Sequence, residues 1–214
     1  TIALAHKESV VVGPHGGDLD TPTAVDAFYR AVEDIPRLSG ARVEIVAADC
    51  HPDYASTRFA QTRPEPVRYV QHHHAHFASC LAEHGLDGPA LGIVWDGSGW
   101  GPDGTVWGGE FLVGGGAAVG LFAHFRAFPL PGGEAAVGDP RRCALGLLYE
   151  ILGGSVFDDS LVKGWFSEKE RTVFARALKR NGTCVKTSSV GRLFDGVSAL
   201  LGVGVRRSFE GQAA

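Results

Sequence analysis

The chain has 214 residues, 44% hydrophobic and 21% charged, with a net charge of −4 and a pI near 6.1, enough apolar material for one large or two small cored domains. It holds no run of lysines and arginines and no apolar segment approaching the ~20 residues that span a bilayer, so neither a nucleic-acid partner nor a membrane is expected. Thr1-Ile2-Ala3-Leu4-Ala5-His6-Lys7 lacks a signal-peptide pattern, and Cys50, Cys80, Cys143 and Cys184 are scattered without a CxxC pair, as expected of a reduced, cytoplasmic protein with no zinc ribbon.

In chain order, the β-branched run Ser9-Val10-Val11-Val12 predicts a short strand, and Gly13-Pro14-His15-Gly16-Gly17-Asp18 a loop. Thr21 before Pro22 is an N-cap and N1 pair, and Val25, Phe28, Val32 and Ile35 follow at helical spacing. Residues 43–48 read as a buried strand ending at Asp49, 54–61 as a helix, 68–70 as a strand and 77–82 as a helix. This alternation up to His84 is the pattern of parallel βαβ units. Residues 91–95 form the next buried strand, 96–104 a glycine-rich loop, 106–113 a returning strand and 118–125 a third antiparallel strand, with a loop over 128–133. Asp139-Pro140 then caps a helix carrying Ala144, Leu145, Leu148, Ile151 and Leu152 and ended by Gly153-Gly154. Ser167-Glu168-Lys169-Glu170 is a capping box, opening a helix with Val173, Phe174, Ala177 and Leu178 on its apolar side. The stretch 187–202 reads as a buried helix on Leu193, Phe194, Val197, Leu200 and Leu201.

The residues able to do chemistry concentrate around His72, His73, His74 and His76, four of the nine histidines, where a strand hands over to a helix. If the helix starts by His72, then His72 and His76 share a face and aim two imidazoles at one point, a geometry for a metal site. A histidine run can also be a solvated tract, but this one is internal and interleaved with Ala75 and Phe77; His73 and His74 are ligands or only neighbours. Asp96 at a strand end can face a cation while the backbone N–H groups of the following glycines approach an anion, although a tight hairpin accounts for the same residues. Arg141 and Arg142 stand in a first helical turn, where the dipole disfavours cations; they face a phosphate, an acidic partner or solvent. Asp195 is costly on an apolar helix unless paired. It is either a surface residue paired with Arg192 or a carboxylate that accepts hydrogen bonds from ribose hydroxyls.

Six separated motifs, in order and across nearly the whole chain, resemble the HypF-type carbamoyltransferases, maturation factors of [NiFe] hydrogenases. They are His51-Pro52-Asp53-Tyr54-Ala55-Ser56-Thr57-Arg58, Gln71-His72-His73-His74-Ala75-His76, Asp96-Gly97-Ser98-Gly99-Trp100-Gly101 with Trp107-Gly108-Gly109-Glu110, Pro129-Leu130-Pro131-Gly132-Gly133-Glu134, Thr187-Ser188-Ser189-Val190-Gly191-Arg192-Leu193-Phe194-Asp195 and Phe209-Glu210-Gly211-Gln212-Ala213-Ala214. The resemblance implies part of the family's C-terminal domain, which is similar to TsaD-type tRNA threonylcarbamoyl transferases. It implies an α/β fold of the actin-like (ASKHA, ribonuclease H-like) type, a mixed sheet with flanking helices in an incomplete two-lobe domain. Residues 1–130 would be the first lobe, with the metal and phosphate motifs, and 131–214 a partial helical second lobe with a ribose segment.

The implied activity is transfer of a carbamoyl group from carbamoyl-adenylate, made from carbamoyl phosphate and ATP, to the C-terminal cysteine of a HypE-type partner. By the same resemblance His72, His76 and Asp96 would bind a divalent metal, Gly97, Gly99 and Gly101 would shape a phosphate loop, and Gly191 and Asp195 would hold the nucleotide ribose. An O-carbamoyltransferase, a tRNA threonylcarbamoyl transferase or a non-catalytic nucleotide-binding module are the rival readings. The sequence departs from the family at Gly16, where an aliphatic residue is expected, and lacks the acylphosphatase domain, the zinc-binding cysteines, the adenylate-forming domain and a second glycine loop. With no Met and no terminating element after Ala214, it is expected to be a piece of a longer chain, inactive alone.

Overall fold

A computed structural model describes residues 1–116, 118–180, 182–206, 208–209 and 211–213; Glu210 and Ala214 of the terminal motif lie outside the described residues. The chain forms two compact units, 1–70 and 71–214, so the lobe boundary expected at 130 falls inside the second unit.

In the first unit, β1 (Ala3–His6) and β2 (Ser9–Val12) make an antiparallel hairpin turned at Lys7, whose φ is 56°. The strand over 9–12 was legible in the sequence, whereas β1 has no β-branched run to announce it. Helix α1 (Pro22–Ser39) starts where Thr21 Oγ1 accepts the Ala24 N–H at 3.2 Å and stops at the left-handed Gly40. A βαβ unit follows as expected: β3 (Val46–Asp49) and β4 (Val67–Val70) pair in parallel around α2 (Ala55–Ala60), and Phe28 of α1 meets Phe59 of α2 edge-on. Burial here is slight. Of residues 1–70, only Thr57 and Ala60 are fully buried.

The second unit is built on a mixed sheet with flanking helices, the fold class the sequence predicts. In chain order it comprises α3 (His72–Glu83), β5 (Ala90–Trp100), β6 (Val106–Gly115), β7 (Ala118–His124), β8 (Phe128–Leu130), α4 (Ala135–Gly138) and α5 (Pro140–Leu152). A 3-10 turn (Gly153–Asp158), α6 (Ser160–Trp165), α7 (Glu168–Lys179), β9 (Val185–Thr187) and α8 (Val190–Leu200) complete it. The strands run in the order β5-β6-β9-β8, with β7 also on β6; only the β6–β9 pairing is parallel.

Helix α3 covers one face of this sheet, burying Phe77 and Leu81 against Val94, Trp107 and Leu112. A second cluster, Leu145, Val156, Val162, Phe166, Phe174 and Leu178, joins α5 to the helices after it, and a third, with Phe128, Leu130 and Cys143, joins α5 to β8.

The strands expected to be buried over 43–48 and 91–95 are mostly open, with Ile45, Leu91, Ile93 and Trp95 exposed and β3 starting only at Val46. Three further expectations change. Residues 128–130 are a buried strand rather than a loop, because Phe128, Pro129 and Leu130 pair with Thr187, Lys186 and Val185, and Pro129 is tolerated on the sheet's edge. Residues 96–100 are strand rather than loop: β5 bulges after Trp95, then resumes pairing at Gly99↔Trp107 and Trp100↔Val106, and the turn lies beyond Gly101. Helix α8 follows its expected apolar pattern only in part, with Leu193 and Leu200 half-buried. It buries Arg192, Asp195 and Ser198 and exposes Phe194, Val197 and, just past its end, Leu201.

Candidate metal centre

Helix α3 begins at His72 because Gln71 caps it, the Gln71 side-chain oxygen accepting the His74 N–H at 2.9 Å. The Gln71 amide nitrogen also donates to the Trp100 carbonyl at 3.0 Å and lies 3.2 Å from His73 Nδ1, tying the first turn of α3 to the end of β5. That tie brings the helix's histidines onto Asp96. His72 Nε2 lies 2.9 Å from Asp96 Oδ2, His76 Nε2 lies 3.1 Å from His72 Nε2, and His76 Nε2 lies 4.0 Å from Asp96 Oδ2. A point equidistant from three atoms so spaced is about 2 Å from each, the length of a metal–nitrogen or metal–oxygen bond.

The donors fit a divalent ion: two imidazoles and one carboxylate, all on one side, leave further coordination positions open, and the group satisfies the spacing of a metal set. Burial works against ionisation of Asp96, but hydrogen bonds with His72 and from the Gly97 N–H at 2.6 Å outweigh it and hold the carboxyl below its usual range. The carboxylate is thereby favoured in its charged form.

His73 and His74 do not join this triangle of ligand atoms. His73 is fully buried, with Nε2 3.7 Å from Glu110 Oε2, and a Cβ at Gly99 would come within 2.4 Å of its ring. Glycine at 99 therefore leaves room for His73. Half-buried His74 is shifted toward its neutral form by desolvation.

The remaining expected site residues spread along the same strand and onto α8. Gly97 lies in the bulge, and Gly101 donates its N–H to the Thr105 carbonyl in the turn. Gly191, at the start of α8, packs so closely on Gly97 that a Cβ there would lie 2.8 Å from the Gly97 Cα. Asp195 is 2% exposed and pairs with Arg192 at 2.9 Å, so the pairing weighed from sequence is present but the surface position is not. Arg141 and Arg142 both bind the Asp139 carboxylate, at 2.7 and 3.3 Å, which answers their place in a first helical turn.

Sequence reasoning assigned no role to Glu110, Ser188, Ser189 or Gln71. Glu110 is fully buried; its oxygens accept the N–H groups of Gly108 and Gly109 at 2.5 and 2.7 Å and the Ser188 hydroxyl. These four residues stood inside the quoted motifs, which was the one available signal. The contacts that bring them to the site, Gln71 with Trp100, Glu110 with Ser188 and Ser189 with Asp96 and Gly97, join residues distant in the chain.

Two family models match the chain. The model described as "HypF Kae1-like domain" matches residues 1–83, and that described as "Carbamoyltransferase, Kae1-like Domain, second subdomain" matches residues 92–214. The chain belongs to the HypF carbamoyltransferase family. Within it, the chain is 37% identical to carbamoyltransferase HypF of Synechocystis sp., over 100% of this chain and 30% of the relative. It is 38% identical to the Rhodobacter capsulatus HypF, over 100% and 29%. The crystal structure of full-length HypF in its phosphate- and nucleotide-bound form matches with a TM-score of 0.91 at 37% identity, over 99% of this chain and 28% of that one. HypF of T. kodakarensis matches with a TM-score of 0.86 at 30% identity, over 99% and 29%. The chain thus spans less than a third of these relatives' length, and its fold is the Kae1-like, ASKHA-type α/β fold. None of the described helices is long and apolar enough to cross a membrane.

Proposed function

We propose that this chain is the transferase part of a HypF-type enzyme, which passes a carbamoyl group from carbamoyl-adenylate, made from carbamoyl phosphate and ATP, to the C-terminal cysteine thiol of a HypE-type protein during [NiFe] hydrogenase maturation. The observation that carries the reading is the convergence of His72, His76 and Asp96 at the junction of α3 and β5. Family membership and a nucleotide-bound structural relative support it. In the transfer, the thiol sulfur bonds to the carbamoyl carbon and loses its proton, and the anhydride bond breaks so that AMP leaves with the electron pair.

A divalent cation held by the three donors would supply Lewis acidity to the phosphate oxygens. The protein's own groups do the rest. Asp96 and the two imidazoles fix the site on rigid elements, Gln71 sets the register of α3 against β5, and Gly97 and Gly191 let the start of α8 approach the backbone beside Asp96 closely. We read Gly97, Gly99, Gly101, Gly191 and Asp195 as the nucleotide side; ribose hydroxyls would compete with Arg192 for Asp195. The reaction is assigned to the cytoplasm, in keeping with four cysteines none of which is in a disulfide.

The test uses the full parent chain, assayed for bound metal and for carbamoyl transfer from carbamoyl phosphate and ATP to a HypE-type partner. The His72→Ala, His76→Ala double variant is expected to lose both metal and transfer. Normal transfer by that variant would make the histidines scaffold and sink the assignment.

A further inference from the structure

The connection between β9 and α8 reaches the metal triangle from outside it. We infer that Ser189 is a positioning residue for Asp96, holding the bulged backbone from which that carboxylate projects. The inference rests on the proposed reading that His72, His76 and Asp96 bind a metal.

Strand β5 pairs regularly with β6 as far as Trp95↔Gly109 and resumes at Gly99↔Trp107, so Asp96, Gly97 and Ser98 face Gly108 alone. Over those residues the ladder cannot serve every carbonyl. The Ser189 hydroxyl reaches across and donates to the carbonyl oxygens of Asp96 at 2.9 Å and Gly97 at 2.7 Å, a single proton shared between two acceptors. Ser189 is fully buried, so water does not substitute for it.

The hydroxyl is itself held from behind. Its oxygen accepts the Arg192 N–H at 3.2 Å, capping α8, while the Ser189 N–H donates to Thr187 Oγ1 at 3.0 Å and Thr187 Oγ1 donates to the Val106 carbonyl at 2.9 Å. The close seat of Gly191 on Gly97 completes the clamp. With the Asp96 backbone pinned and its Oδ1 on the Gly97 N–H, Oδ2 is left pointing at His72 and His76. One side chain thus joins the first turn of α8 to the backbone from which the carboxylate of the metal triangle projects. Partners that orient a ligand in this way are worth about 10–100-fold in metal affinity.

The test is a Co2+ titration of the full parent chain with its cysteine sites kept loaded with zinc, read through the part of the ion's visible absorption that the His72→Ala, His76→Ala variant lacks. Ser189→Ala is expected to weaken Co2+ binding about 10–100-fold and to alter the absorption envelope, while Ser189→Thr, which keeps the hydroxyl, restores both. Ala199→Gly loosens α8 near its other end and is expected to leave the dissociation constant unchanged. A Ser189→Ala protein with wild-type affinity overturns the inference, as does an Ala199→Gly protein weakened as much as Ser189→Ala. Should Ser189→Ala fail to fold, Thr187→Val removes only the strut behind Ser189; weaker binding then supports the clamp and unchanged binding overturns it. If wild type takes up no Co2+, or the His72→Ala, His76→Ala variant takes it up equally well, the metal site itself fails and the clamp with it, a different result from a histidine-dependent site indifferent to Ser189.

Discussion

A carboxyl group sealed inside a protein persists only when its oxygens are engaged, and Glu110 meets that condition with two backbone N–H groups and the Ser188 hydroxyl. Replacing it by glutamine keeps the shape but turns an N–H face toward the donors it should accept. Glu110→Gln is therefore expected to cost about 1–3 kcal/mol, measured as a lowered urea midpoint at unchanged slope. Asp96→Asn tests charge as well as fit: the carboxylate accepts the Gly97 N–H and pairs with His72, so the variant should have a lowered urea midpoint and also bind metal more weakly, which metal analysis after dialysis would show. The two carboxylates were unequal in the sequence. Asp96 stood at the end of an apolar run and drew attention as a ligand, whereas the Ser188 partner of Glu110 is 78 residues away and nothing local announces it.

At the scale of elements, what could be read was what is local. Thr21 and the capping box of Ser167 with Glu170 fixed the starts of α1 and α7, since a cap needs only the next three residues. Strand β8 and the bulge of β5 were hidden because pairing across the sheet defines them, and α8 misled because two of its large apolar residues, Phe194 and Val197, are exposed while Arg192 and Asp195 are buried. The start of α5 lies between these cases. Its Asp139 was legible as a cap, but it makes no capping hydrogen bond and binds Arg141 and Arg142 instead. Burial opposes ionisation of Asp139, and the two guanidinium groups outweigh it, holding the carboxyl below its usual range. A depressed value means stability that is present above the unfolded-state value of about 3.9 and lost as pH falls through the folded-state value beneath it. Asp139→Asn should lower stability by about 1–3 kcal/mol at neutral pH and flatten that acid limb, as denaturant melts taken from pH 7 down to pH 2 would reveal.

At the scale of the molecule, the burial is unevenly shared. The three apolar clusters and the candidate site belong to residues 71–214, while residues 1–70 bury only Thr57 and Ala60 fully. A region with so little sealed apolar surface opens at low cost. Amide hydrogen exchange is expected to run about tenfold or more faster in β1, β2 and α1 than in β6 and α5, and equal protection would contradict it. The bulge of β5 has a meaning of another kind. It amounts to two residues inserted into an otherwise unbroken hairpin, since removing Gly97 and Ser98 would let Asp96 face Gly108 and continue the same register through to Trp100. The shortened strand would be the more regular one, with every rung of its ladder closed and no kink from which a carboxylate could lean toward α3. The bulge thus exchanges two closed rungs of the ladder for a bend that turns Asp96 toward α3, where the proposed metal triangle lies.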